Sequence, residues 1–332
     1  MIKRIAVIAG IAAGTTLAAI LIFGNIGVQA EKANAGTASA QKPEGPYQYP
    51  AFYKGFYLTC QSGTNRERLI SFLEKAKNGG LNTVVIDVQT PGMKKAMTPK
   101  ENIDLCIQMG FHPIARVVVF PDGLKKYPVP DDLIENRLAV AEEAAAAGYK
   151  EIQFDYIRFN DVGVLKHVPL AKRYEMVNGF LKKAKDRLAK YNIKTAADVF
   201  GRIPLNKDDG IGQKMELLDE VVDIICPMAY PSHYTWSAKM MADPYYTVYT
   251  TSLKGRERLK KAEVVTWIQA FKMKVQRSGL TYDVYVEQQI KACHDAGIKG
   301  YIMWNAAQEY TVPLVASARY YSTSEKKSVT VK

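Results

Sequence analysis

The chain has 332 residues, 48% hydrophobic and 23% charged, which excludes a disordered or low-complexity polymer and supplies a sizeable core. Its formal net charge of +12 draws it toward anionic surfaces such as an acidic cell-envelope polymer or lipid head groups. No cluster of Lys and Arg with interleaved aromatics forms a nucleic-acid module, so nucleic acid is not an expected partner.

The N-terminus carries a targeting pattern. Lys3 and Arg4 precede an apolar run from Ile5 to Phe23, and Val28-Gln29-Ala30 offers small residues for cleavage. Residues 1–30 are therefore expected to be a secretory signal, with an uncleaved membrane anchor over residues 5–23 as the alternative. The first gives a secreted or cell-envelope protein, and only the second gives membrane attachment. Residues 31–50, rich in Ala, Gly, Gln and Pro, are expected to be a flexible linker. The polar, lysine-rich stretch from about 321 to 332 is expected to be a disordered tail.

Between these ends, strand-like and helix-like segments alternate. The expected strands are Gly55–Cys60, Thr83–Val88, His112–Phe120, Glu151–Phe159, Lys194–Gly201, Val222–Pro231, Val264–Phe271 and Gly300–Asn305. Helical periodicity marks Arg66–Lys77, stopped at Gly79-Gly80, and Asp131–Gly148, which has an acidic first turn. Leu170–Tyr191 and Tyr282–Gly297 behave similarly. Eight strands with intervening helices and no second composition regime predict one parallel sheet, closed as a (β/α)8 TIM barrel over residues 51–320. An open doubly wound sheet is the alternative, but Gln61-Ser62-Gly63-Thr64 is a poor phosphate loop.

The most informative stretch is EIQFDYIRF, residues 151–159. Alternation puts Gln153, Asp155 and Ile157 on one face and Ile152, Phe154 and Tyr156 on the other. Asp155 then faces the barrel interior near the C-terminal end of its strand, where this fold places its chemistry. A buried Asp is costly unless paired or used. The other strand-end acids are Asp87, Asp122 and Asp198. Asp155 and Asp198 come from neighbouring strands, which suits the paired carboxylates of glycoside hydrolysis. Arg116, on strand three, is expected beside Asp155, holding it ionised and leaving Asp198 to carry the proton. The structural alternative is that these acids only satisfy Arg116 and Arg158.

Aromatic residues gather at the same strand ends: Tyr230, Tyr234, Trp236, Trp267 and Trp304. Flat rings suit the C–H faces of sugars, while His233, Gln269 and Asn305 are candidates to bond hydroxyls. Trp304 and Asn305 have opposite parity, so only one of them faces the barrel interior. The four histidines include no HxxxH or HExxH, and Cys60, Cys106, Cys226 and Cys293 form no CxxC pair. No metal site and no cofactor are expected, and the cysteines read as buried free thiols. Cys60 and Cys226 fall in strand segments, Cys106 and Cys293 in helical ones.

In the order and spacing of its blocks the chain resembles the bacterial putative glycosyl hydrolase domain family. The blocks are VVIDV (84–88), PIARVVVF (113–120), EAAAAGYKEIQFDYIRF (143–159), DVFG (198–201), IGQ (211–213), DIICPMAYPSHY (223–234), WIQAF (267–271) and MWNA (303–306). The resemblance runs from Gly55 to about Tyr310 and implies a TIM barrel acting on a carbohydrate. It also marks two departures. Family members tend to carry acids where this chain has Gln89-Thr90-Pro91, and an Asp where it has Ala270.

Two functions are therefore expected. The first is a glycoside hydrolase acting on an extracytoplasmic polysaccharide, with Asp155 as nucleophile or stabiliser and Asp198 as acid/base. Asp87, Arg116, Arg158, Tyr230, His233, Tyr234, Trp267, Gln269, Trp304 and Asn305 would then line the substrate cleft. The second is a catalytically silent glycan-binding barrel, motivated by the missing acids.

Overall fold

A computed structural model describes residues 46–330 of the protein, and the expected export segment and most of the linker lie outside them. Nearly all described residues belong to one compact unit that begins at Gln48. Eight parallel strands close in sequence order: β1 (Tyr53–Leu58), β2 (Thr83–Asp87), β3 (His112–Val118), β4 (Glu151–Asp155), β5 (Lys194–Phe200), β6 (Ile224–Met228), β7 (Glu263–Gln269) and β8 (Gly300–Trp304). The last strand pairs with the first, so no open sheet edge remains and the doubly wound alternative is excluded.

Helices follow every strand. They are α1 (Cys60–Thr64), α2 (Arg66–Asn78), α3 (Lys100–Gln108), α4 (Asp131–Ala147), α5 (Leu170–Leu188), α6 (Met215–Leu218), α7 (Ala238–Ala242), α8 (Pro244–Glu257), α9 (Tyr282–Asp295) and α10 (Thr311–Thr330). Alternation along the strands builds two apolar layers. Val84, Ile86, Ile152 and Phe154 pack outward under the helices. Val85, Ile114, Ala196, Ile224, Cys226 and Ile302 fill the barrel itself. At its N-terminal end the buried Glu151 accepts from the Tyr53 hydroxyl at 3.1 Å and lies 3.2 Å from His112 Nε2. In this architecture that end serves stability, and the opposite end serves function.

The seam between β8 and β1 depends on Gly300. Its φ is +153°, and a Cβ there would fall 2.3 Å from the Tyr53 carbonyl oxygen. Only glycine lets the two strands approach so closely.

Several boundaries differ from those read in the sequence. β4 stops at Asp155, because Tyr156 takes a left-handed φ of +54°. Cys60 opens α1 behind the Thr59 cap, rather than ending β1. All four cysteines are buried free thiols. Within the stretch expected to be linker, the Tyr49 hydroxyl donates to the Lys150 carbonyl at 3.0 Å. The helix α10 runs to Thr330, through most of the stretch expected to be a tail. Once nucleated at Thr311, a helix adds residues at little cost.

Candidate active site

The C-terminal ends of the strands deliver a charged cluster. Arg116 of β3 stands opposite Asp87 of β2 and Gln153 of β4 in the ladder, and Asp155 stands opposite Val118. Both acids therefore reach the Arg116 guanidinium. Its Nη1 donates to Asp87 Oδ1 at 2.6 Å. Its Nε and Nη2 donate to Asp155 Oδ2 at 3.0 and 2.5 Å. Asp87 also accepts from the Tyr57 hydroxyl at 2.5 Å, while Asp155 Oδ1 accepts from the Tyr156 backbone N–H at 2.5 Å. The left-handed turn at Tyr156 aims that N–H back at the carboxylate, and such conformations gather at functional sites.

Asp198 of β5 is set differently. It is 1% exposed and accepts from the Trp267 indole N–H at 2.6 Å through Oδ1. Its Oδ2 is buried without a partner among the described residues, as are both amide atoms of Gln153. Burial raises the Asp198 pKa well above the ordinary carboxylate range, and the nearby charge of Asp155 adds to the rise. Arg116 and the indole bond pull the other way without cancelling it. Burial and the neighbouring charge thus favour the protonated form of Asp198.

Above this cluster opens a cavity of about 640 Å³. Of the expected residues, Arg116, Asp155, Arg158, Tyr230, His233, Tyr234, Trp267 and Trp304 form its wall. The Trp304 ring stacks in a tilted arrangement 4.3 Å from Tyr57 and meets Trp267 edge-on at 5.5 Å, with Arg116 Cζ 5.1 Å from its centre. Tyr230 contacts His233 and Phe271 edge-on. His233 has its pKa lowered by burial and by the Lys274 charge, so it presents a neutral ring. At the rim Trp236 is 59% exposed and lies 5.0 Å from the Tyr234 ring.

Other expected residues serve the scaffold. Gln269 is fully engaged: its Oε1 accepts from Ser232 N–H and the Tyr285 hydroxyl, and its Nε2 donates to the Phe271 and Met273 carbonyls. It therefore ties two loops together and is not in the cavity wall. Asn305 points away from the cavity and donates to Ala270 O at 2.6 Å and Glu309 O at 2.9 Å. Parity thus gives the wall to Trp304. The Tyr234 ring lines the cavity, but its hydroxyl bonds Thr251 Oγ1 at 2.8 Å. Asp87 supports Arg116 from behind the wall. Asp122 faces solvent beside Lys125. Asp198 lies beneath the wall instead of in it.

Position 89, where relatives tend to be acidic, holds a buried Gln whose Oε1 accepts from Val118 N–H at 2.8 Å. Residues missed from the sequence include Tyr57, Asp161, Phe200 and Arg202. Arg202 pairs with both Asp161 and Asp209 at the cavity mouth. Phe200 was legible, since it follows Asp198 by two on the same strand face. Asp161 and Arg202 sit on loops, where alternation gives no direction. Among the described residues no group of three His, Cys, Asp or Glu could hold a metal ion.

Solved structures share this fold. The PgaB (BpsB) glycoside hydrolase domain from Bordetella bronchiseptica aligns at 10% identity and a TM-score of 0.58, over 80% of this chain and 98% of that one. The spore cortex-lytic enzyme SleL of Bacillus cereus aligns at 12% identity and a TM-score of 0.54, over 81% and 74%. A chitinase from Chromobacterium violaceum aligns at 13% identity and a TM-score of 0.53, over 80% and 98%. None of the curated proteins matches this sequence. The model of the family described as Putative glycosyl hydrolase domain matches residues 128–310, from the loop before α4 to the end of the β8 loop. With more than half of its length matched, and with the barrel that the family resemblance implied, the chain belongs to that family.

Proposed function

We propose that the protein is a glycoside hydrolase acting on an extracytoplasmic polysaccharide. One observation carries the reading: two carboxyl groups on adjacent strands at the functional end of the barrel are held in opposite roles. Asp155 is fixed in the cavity wall by Arg116 and the Tyr156 N–H, with its charge available to a developing cation. Burial and the Asp155 charge raise the Asp198 pKa and favour its protonated form. That division of labour is what glycosidic cleavage needs, with one carboxylate as nucleophile or stabiliser and one acid as proton donor. Trp304 and Tyr230 offer ring surface to a sugar, and neutral His233 offers a hydrogen bond. Membership of the family and the glycoside hydrolase and chitinase structures of similar fold support a carbohydrate as the substrate class.

The expected setting is outside the cytoplasm, as residues 1–30 suggest. No helix among the described residues is long and apolar enough to cross a membrane. The test is Asp155→Asn on a panel of envelope and environmental glycans. Turnover is expected to vanish while the variant stays folded, with a lowered melting temperature from the weakened Arg116 pair, and glycan binding stays near the parent value. Parent-rate cleavage by that variant would refute the assignment.

A second reading, a glycan-binding barrel without hydrolysis, is favoured by one specific feature. Asp198 lies below the cavity wall with 1% exposure, so its proton must pass the Trp267 edge to reach a bound glycosidic oxygen. Release of reducing ends, measured beside binding, separates the two readings.

A further inference from the structure

Three arginines line the cavity, and they differ in how their charge is met. Arg116 is bound by Asp87 and Asp155, and Arg202 by Asp161 and Asp209. Arg158 forms no ion pair within 4.0 Å among the described residues. Among the described residues its guanidinium makes one hydrogen bond, from Nη1 to the carbonyl of its neighbour Phe159 at 3.1 Å. Yet Arg158 is only 7% exposed, and its Cζ lies over the Phe200 ring at 4.4 Å and over the Tyr156 ring at 5.3 Å.

A guanidinium cannot shed its charge, so a buried one lacking an acidic partner is costly. Burial pulls the Arg158 pKa down, and the charges of Asp155 and Asp161, neither in an ion pair with it, offset only part of that. The aromatic ring beneath it fixes the fork, so the ordering of the donors is already complete before a ligand arrives.

We infer that Arg158 is the recognition group for a carboxylate carried by the sugar, so that the preferred glycan contains hexuronic or similarly carboxylated residues. A planar anion of single charge matches one free fork bidentately. A doubly charged phosphate would need a second free cation, and Arg116 and Arg202 are already engaged. Asp155 and Asp161 in the same wall repel any anion, and a dianion about twice as strongly as a single carboxylate. The overall charge of +12 draws such polyanions toward the molecule. The inference rests on the glycan reading above and narrows its substrate class.

The test is calorimetric titration of the full chain with oligogalacturonate and oligoglucuronate, each beside its carboxyl-reduced counterpart. At least one acid form is expected to bind ten times or more tighter than its reduced partner. Arg158→Gln should erase that preference, and Arg158→Lys should keep part of it. Equal binding of acid and reduced forms, binding of neither, or a preference that survives Arg158→Gln overturns the inference. The comparison within the parent protein needs no variant, so a folding defect in Arg158→Gln, seen by its melting temperature, leaves the proposal testable. Cleavage of a neutral glycan by a parent protein that binds acid and reduced forms equally sinks this inference while the hydrolase reading stands. Acid-selective binding with no cleavage does the reverse.

Discussion

At Asp198 the same burial that favours the protonated form also couples the site to pH. Its folded pKa lies above the ordinary value near 4, so the folded protein binds a proton that the unfolded chain releases. The associated stability is fully present below about pH 4 and is lost progressively as pH rises toward the folded value. Asp198→Asn removes this dependence, so its melting temperature should fall less steeply with rising pH than the parent's. Turnover should drop roughly 10²–10⁴-fold in the same variant, the range for loss of a general acid. An unchanged pH slope would show that Asp198 ionises freely. Arg116 is the second residue whose removal is diagnostic. Arg116→Met strands Asp87 and Asp155 without their shared cation, at a cost of about 3–5 kcal/mol, measurable by denaturant titration. The Asp155–Arg116 pair was legible in the sequence, because strand parity fixed both side chains inward. Tyr57 was not, since nothing in a Tyr of β1 announces an acid on the next strand.

At the level of elements, the strands deliver side chains and the loops between them shape the cavity. Gln269 shows how the two are joined. Its amide holds the Ser232 N–H of the loop after β6 and the Phe271 and Met273 carbonyls of the loop after β7. Gln269→Ala leaves these groups without partners at a cost of about 1–3 kcal/mol. It should also weaken glycan binding through His233, which follows Ser232, as a drop in both melting temperature and affinity. Strand order was readable because each strand's outer face is apolar and helix punctuation separates them. Their ends were overrun by a few residues, since the turn at Tyr156 depends on a backbone angle that composition does not reveal. The segment between β6 and β7 carried no helix assignment. The helix α8 there reads PYYTVYTTSLKGRE, rich in Tyr, Thr and Val, and tertiary packing with the Asp243 cap overrides that strand-like composition.

For the molecule as a whole, a closed barrel separates stability from function. Glu151, Tyr53 and His112 close one end, and the carboxylates, arginines and tryptophans open the other. This architecture recurs at 10–13% identity in the solved structures of similar fold, so the barrel alone does not choose a substrate. The choice rests on the side chains at the cavity, which the sequence supplied in type and only partly in direction. The most direct measurement is reducing-end release from a glycan panel by the parent protein and Asp155→Asn, with binding followed in the same samples. The account predicts that the parent cleaves at least one glycan that the variant binds with comparable affinity and leaves intact. Bound glycan with no released ends from the parent at any pH, or equal release by both proteins, would contradict it.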